Sequence, residues 1–377
     1  MVGKNKQKIE LEINDNVFEN SDNSDEIIMT EPFDPTQINI LPKQDSLSNV
    51  IERLRNNEID MNTEFQRHAD LWELSKMSKF IESILIRFPI PAFFFDASDD
   101  NNWLIVDGLQ RLSSIKKFVI DKKLKLKGLE YLTDFEGHNY DELPRKYQRR
   151  INECPITLFI IQPGTPEEVK YSIFRRINTG GLVLNDQEIR NAMAPQSLRE
   201  YIGKLAQNEH LICTMGDQSK RMIDQELVLR FLAFYSMDYA LGTKSIRSFL
   251  DEMMKELKKY DRNELNNLEQ IFSIALERCW LIFKEEAFVK YNEGNELFSK
   301  RKNSTLFEVW TVELANLSEK NFFKLVTKKH EVVKKHRKLM NGDQEYIKSI
   351  TYSTQKREHF KIRHKKVNDV IQEVLND

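Results

Sequence analysis

The segment Leu104-Ile105-Val106-Asp107-Gly108-Leu109-Gln110-Arg111-Leu112-Ser113-Ser114-Ile115 holds residues whose types and spacing could do phosphate chemistry. A short apolar run stops at Asp107-Gly108, and a helical pattern opens at once with Gln110 and Arg111 in its first turn. This order predicts a strand, a tight turn and a helix N-terminus. Amides at a helix start lack intrahelical partners and sit at the positive end of the macrodipole, so they can receive a phosphate. Gly108 lets the backbone approach closely, Arg111 can fork onto phosphoryl oxygens, and Asp107 could hold a metal ion or orient a water. An ordinary strand-to-helix turn with a surface arginine satisfies the same pattern, because a short glycine-containing turn is a weak signal.

Two other segments offer polar groups of the same kind. Glu64-Phe65-Gln66-Arg67-His68-Ala69-Asp70-Leu71-Trp72 places Gln66 and Arg67 beside Phe65 and upstream of Trp72. Arginine suits a triphosphate because it offers a planar fork of donors and stays charged; a surface ion-pair role is the plainer alternative for Arg67. In Phe174-Arg175-Arg176-Ile177-Asn178-Thr179-Gly180-Gly181, two glycines end a helix as a helix stop would. A short helix follows, on which Glu188 and Asn191 stand three residues apart on one face. Further on, Asp224 is expected to cap a helix and Arg230 to pair with Glu226 one turn earlier. The late histidines His330, His336, His359 and His364 lie in lysine-rich helical stretches, with no Asp-His cluster, ββα-metal pattern or PD-(D/E)xK arrangement around them. There is no Walker A sequence, which excludes a P-loop NTPase.

These residues need elements to position them. A helix with Ser46 as its cap should run to Leu54, and an extended piece from Ile59 to Phe65 would deliver Gln66 and Arg67. Leu74 to Phe88 reads as an amphipathic helix ended by Pro89 and Pro91. Ala92–Phe95 and Trp103–Val106 read as a hairpin across the polar turn Asp96–Asn102. A helix near Asp141–Ile151 and a buried strand at Ile156–Ile161 follow. From Pro166 the chain turns almost wholly helical, with helices at Glu167–Ile177, Asp186–Met193, Leu198–Asn208, Asp224–Tyr239, Ser245–Lys258, Leu265–Lys284, Leu306–Leu317 and Asn321–Leu339. The expected division is an acidic leader over 1–36, an α+β nucleotide-binding domain over 37–195 and a helical domain with a basic C-terminal segment over 196–377.

Composition bounds the class. At 377 residues, 40% hydrophobic and 31% charged, the chain reads as a soluble globular protein able to bury at least one large core. No apolar run approaches membrane-spanning length and no signal-peptide core follows the N-terminus, so no membrane role is expected. Cys154, Cys213 and Cys279 lie far apart without CxxC spacing, which argues against a disulfide framework or zinc knuckle and fits a reducing cytoplasm. The net charge of −2 hides an asymmetry: residues 1–36 carry three lysines against nine acids, and residues 318–377 carry fifteen Lys/Arg against eight Asp/Glu. A basic tail suggests a polyanion partner, and a solvated helical face is the alternative. Lys334, Lys335, Arg337, Lys338, Lys356, Arg357, Lys365 and Lys366 are the tail residues through which DNA would be met.

In this order, the three polar segments resemble the N-terminal domain of GmrSD-type modification-dependent restriction enzymes, itself similar to the ParB/sulfiredoxin nucleotide-binding fold. The family's Asp-Gly-Gln-Gln-Arg motif has Leu109 in its third position here, while Asp107, Gly108, Gln110 and Arg111 stand in place. The resemblance implies that Gln66 and Arg67 lie close to the Asp-Gly turn, with Arg67 as a second cation on a triphosphate. It implies that Asn178 and Thr179 border the pocket, and the face bearing Glu188 and Asn191 is expected to look into it. It further implies an α+β, ParB/sulfiredoxin-like domain that binds a nucleoside triphosphate with Mg²⁺, with Asp107, Gln110 and Arg111 as its catalytic group. Relatives often carry an HNH nuclease domain, and no such pattern stands in this sequence, so a partner nuclease subunit is expected. The expected function is a nucleotide-binding, hydrolysing protein of a bacterial defence or restriction system whose nucleotide state gates DNA contact. A non-enzymatic nucleotide-dependent DNA clamp or sensor is the alternative, and a ParB-like DNase a weaker one, since few carboxylates cluster for a two-metal site.

Overall fold

The computed structural model describes residues 18–19, 35–61, 72–177, 184–239, 245–291 and 301–377. Among them the strands are β1 (Phe18–Glu19), β2 (Ile40–Ser46), β3 (Ile59–Asp60), β4 (Phe93–Asp96), β5 (Trp103–Asp107), β6 (Pro155–Ile161) and β7 (Lys302–Asn303). The described residues divide into a sheet unit, over 35–199 and 219–223, and a helical unit, over 200–218 and from 224 onward together with β1. The chain leaves the sheet unit after Arg199 and returns to it over 219–223, a crossing that a division at 195 and 196 does not include.

The sheet unit is α+β. Its five strands lie in the order β2-β6-β4-β5-β3; β4 runs parallel to β6 and β3 parallel to β5, and the other pairs are antiparallel. The hairpin of β4 and β5 stands as the sequence predicts, with Phe95 opposite Ile105 and Asp96 opposite Leu104. Alternation sets the two faces. Phe93, Phe95, Trp103, Ile105, Leu158 and Ile160 join one core with α1 (Leu47–Arg55), α2 (Leu74–Leu85), α3 (Leu109–Ile115) and α4 (Arg145–Asn152). Phe94, Leu104, Val106 and Ile161 join a second core with α5 (Glu167–Ile177) and α6 (Asp186–Met193). A sheet covered on both faces must bury both sets of side chains, which is why β4, β5 and β6 read as continuous apolar runs, whereas edge strand β2 is polar and mostly exposed.

Local chemistry ends the helices where the pattern alone misplaces them. Ser46 occupies the N-cap position of α1, yet its hydroxyl bonds the Ser48 hydroxyl at 2.7 Å and caps no amide. Helix α2 stops at Leu85, before Pro89, because Arg87 adopts φ +66° and the amides of Arg87 and Phe88 donate back to Ile84 and Ser83. That is a Schellman stop, and Asn57 ends α1 in the same way. Helix α4 begins at Arg145 rather than Asp141, behind Pro144.

The helical unit comprises the rest of α7 (Gln196–Ala206), then α8 (Glu209–Met215), α9 (Ile223–Ser236), α10 (Ile246–Leu257), α11 (Arg262–Phe283), α12 (Ser304–Ala315), α13 (Glu319–Thr327), α14 (Lys329–Gly342), α15 (Gln344–Thr351) and α16 (Arg357–Asn376). The single helix predicted over 321–339 is two, broken at Lys328, and the sequence pattern did not point to α8, α15 or α16. Asp224 sits inside the first turn of α9 instead of capping it, accepting the Gln225 amide. Arg230 does pair with Glu226, at 3.0 Å. No described helix is long and apolar enough to cross a membrane.

Candidate functional site

The Asp-Gly turn is built by the end of β5 and the start of α3. A register shift in the β4–β5 pairing puts an extra residue on β5 just before Asp107, the kind of bulge that re-aims a strand end. Gly108 follows at φ +105°, a conformation that costs a side chain strain. Its bareness has a second cause: a Cβ there would lie 2.5 Å from Cδ1 of Phe93. Packing of the Phe93 ring therefore accounts for this glycine without a ligand.

Arg111 is 8% exposed and committed to protein partners. Its Nη1 donates to the carbonyls of Pro91 and, at 3.1 Å, Ala92; its Nη2 meets Asp107 Oδ2 at 2.6 Å; and its guanidinium lies 4.6 Å from the Phe93 ring centre. Burial pulls its pKa below the ordinary arginine value and the Asp107 carboxylate opposes that shift. The side chain ties the approach to β4 to the end of β5. Asp107 remains one-third exposed, with Oδ2 on Arg111. Gln110 Oε1 accepts the amide of Trp72 at 3.1 Å.

That last bond matters for the segment between. Since β3 is parallel to β5, with Ile59 opposite Trp103 and Asp60 opposite Leu104, the chain leaves β3 at the sheet end where β5 delivers Asp107. It returns at Trp72 on Gln110. Gln66 and Arg67 lie between these two anchors and, like Asn178 and Thr179, fall outside the described residues. Asp107, Gly108, Gln110 and Arg111 are brought together; Glu188 and Asn191, both buried, stand on α6 against the opposite face of the sheet.

On α6 the polar residues serve one another. Asn185 and Glu188 form a capping box, Asn185 Oδ1 accepting the Glu188 amide and Glu188 Oε2 the Asn185 amide. Arg221 closes on the same carboxylate with both arms of its fork, at 2.9 and 2.6 Å, while its carbonyl accepts from Asn185 Nδ2. Arg221 and Met222 are both left-handed, at φ +58° each. Both Glu188 oxygens are thus spent on the protein. Arg199 is a second residue without a sequence signal: its Nη2 pairs with Asp60 at 2.8 Å while its buried Nη1 has no partner. Ion pairs spanning 33 and 139 residues leave no local pattern to read.

Residues 47–194 match the family model of the GmrSD restriction endonuclease, N-terminal domain. The chain carries a GmrSD N-terminal domain. No curated protein and no solved structure matches the chain. The match opens at the first residue of α1 and closes just after α6, so it covers the Asp-Gly turn and both cores but omits edge strand β2. A GmrSD domain sets the chain in a restriction or defence context.

The basic tail is less available than its composition suggests. Lys335 pairs with Glu373 and Asp377, Arg337 with Glu286, and Lys366 with Asp343. Lys334, Lys338, Lys356, Arg357 and Lys365 carry no ion pair among the described residues.

Proposed function

We propose that the sheet unit binds a nucleoside triphosphate with Mg²⁺ and hydrolyses it, as a module of a bacterial restriction or defence system whose nucleotide state gates contact with DNA. The supporting observation is the convergence of Asp107, Gln110 and both anchors of the Gln66–Arg67 segment at one end of the sheet of a GmrSD domain. In this reading Asp107 orients the attacking water, and Arg67 with the amide of Gln66 neutralises and holds phosphates. Arg111 acts one step back, fixing the carboxylate of Asp107. The catalytic contribution is positioning and electrostatics rather than covalent chemistry. Among the described residues no three His, Cys, Asp or Glu converge, and one carboxylate suits Mg²⁺, which keeps several waters and takes the rest of its shell from phosphates.

Phosphate release from ATP, GTP and CTP with Mg²⁺, with and without DNA, tests this. Asp107→Asn should abolish turnover while binding persists. Arg67→Ala should weaken nucleotide binding roughly 10- to 150-fold, the loss of a charge-assisted bond worth about 1.5–3 kcal/mol. Failure to bind any of the three nucleotides overturns the reading. One observation favours a second reading, a nucleotide-dependent DNA clamp or sensor without turnover: Asp107 Oδ2 is already engaged by Arg111. Tight nucleotide binding with no phosphate release would select it.

A further inference from the structure

We propose that a row of lysines after α3, with the outer face of α4, forms the surface on which the sheet unit holds the phosphate backbone of duplex DNA. DNA as the partner rests on the function proposed above; the location rests on charge and burial alone. After α3 the chain tightens into a π turn over Lys116–Ile120, where the Asp121 amide donates to the Lys116 carbonyl. It then runs through Lys122-Lys123-Leu124-Lys125-Leu126-Lys127. Leu124 and Leu126 are buried while Lys123, Lys125 and Lys127 are exposed, the alternation of an extended chain with its ammonium groups in one row. None of these three lysines has an ion pair among the described residues.

The neighbouring element adds to the same charge. Helix α4 is Arg145-Lys146-Tyr147-Gln148-Arg149-Arg150-Ile151-Asn152, four cations and no acid, with Arg145, Lys146 and Arg149 exposed. The two pieces are held side by side. Leu126 exchanges backbone bonds with Gly137 and His138, Lys122 pairs with Asp141 at 2.7 Å, and Leu124, Leu126, Leu143 and Ile151 share one core. Residues 122–150 carry eight Lys/Arg against five Asp/Glu. Several of those acids are used internally: Asp141 faces Lys122, Glu130 faces Lys79, Glu136 accepts the amides of Gly128 and Leu129, and Glu142 accepts the Asn139 amide. Arg149 lies 3.9 Å from Glu153, while Lys123, Lys125, Lys127, Arg145 and Lys146 face solvent with no ion pair among the described residues, and a DNA backbone is the extended polyanion that matches such a surface. In the C-terminal tail, by contrast, Lys335, Arg337 and Lys366 already have acidic partners.

The test is fluorescence anisotropy of the full chain with a fluorescein-labelled 24-base-pair duplex across a KCl series. Lys123→Glu/Lys125→Glu/Lys127→Glu alters only exposed side chains, and its thermal melt should match that of the unaltered protein. We expect about tenfold or greater loss of affinity in this variant. The slope of log K against log salt should be shallower by about 0.9 for each phosphate that the variant no longer neutralises. Arg145→Ala/Lys146→Ala/Arg149→Ala should lose affinity in the same direction, and Lys334→Ala/Lys338→Ala/Lys365→Ala should leave it unchanged. Duplex binding that is unaltered by the lysine variant, or that is lost only in the tail variant, overturns this surface and leaves the proposed function standing. No salt-dependent duplex binding by the unaltered chain overturns both the surface and the DNA part of that function.

Discussion

Arg111 and Gly108 look like phosphate-handling residues in sequence and do structural work in the fold. The guanidinium holds two carbonyls and one carboxylate, and the glycine makes room for Phe93. Different substitutions separate these tasks. Gly108→Ala combines a left-handed backbone with a Cβ thrust against an aromatic ring, so it should destabilise the sheet unit by about 2 kcal/mol or more, seen as a lower urea midpoint at constant slope. Arg111→Ala should be worse than Arg111→Lys, since lysine keeps a charge near Asp107 but cannot serve three acceptors in a fork. If both arginine variants melt with the unaltered protein, Arg111 is not the anchor described.

At the scale of elements, the apolar pattern located most of the sheet unit. The hairpin around Asp96–Asn102, strand β6 and helices α1, α2, α5 and α6 follow directly from period-2 and period-3.6 spacing. Their ends do not, because Arg87 and Asn57 stop helices by adopting left-handed backbone, a choice made by packing rather than composition. The helices beyond Leu339 escaped because basic stretches read as solvated tail, whereas Tyr346, Arg363 and Val367 are buried there. Asp107, Gln110 and Arg111 fall together in the sequence and could be read there as one group; the pairings of Arg199 and Arg221 could not, because each meets its acid only after folding. The Glu188–Arg221 fork carries its own expectation. Its carboxylate is buried and its guanidinium is about one-third exposed. Glu188→Ala, which also removes half of a capping box, should therefore cost roughly 2–4 kcal/mol, between an exposed pair and a buried one. A double-mutant cycle with Arg221→Ala that shows no coupling would refute the fork.

At the scale of the molecule, the helical unit holds two histidines whose titrations oppose each other. His336 is fully enclosed, accepting from Trp310 Nε1 at 3.2 Å beside the Tyr346 hydroxyl, and burial pulls its pKa down to about 3. Its neutral form therefore stabilises the fold above the unfolded value of 6.5, and that contribution is lost as pH falls toward 3. For His364, burial alone would lower the pKa, but Glu308 and Glu313 outweigh it and raise it. Its contribution is complete below 6.5 and is lost as pH rises through the folded value. His336→Gln should flatten the acid side of the stability curve by about 1.4 kcal/mol per pH unit relative to the unaltered protein. Urea midpoints at pH 7, 6 and 5 that run parallel for the two would sink this assignment.

The return of residues 219–223 to the sheet unit also sets a schedule for synthesis. Chains emerge from the ribosome N-terminus first, and domains generally fold as units as they appear. All strands of the five-stranded sheet are made by Ile161, but the arginine that closes on Glu188 is residue 221. The nascent sheet unit must wait sixty residues for its last clasp, and the capping carboxylate of α6 lacks its guanidinium for the 33 residues between Glu188 and Arg221. Ribosome-stalled chains released to a protease should therefore gain protection at α6 only once Arg221 has cleared the exit tunnel.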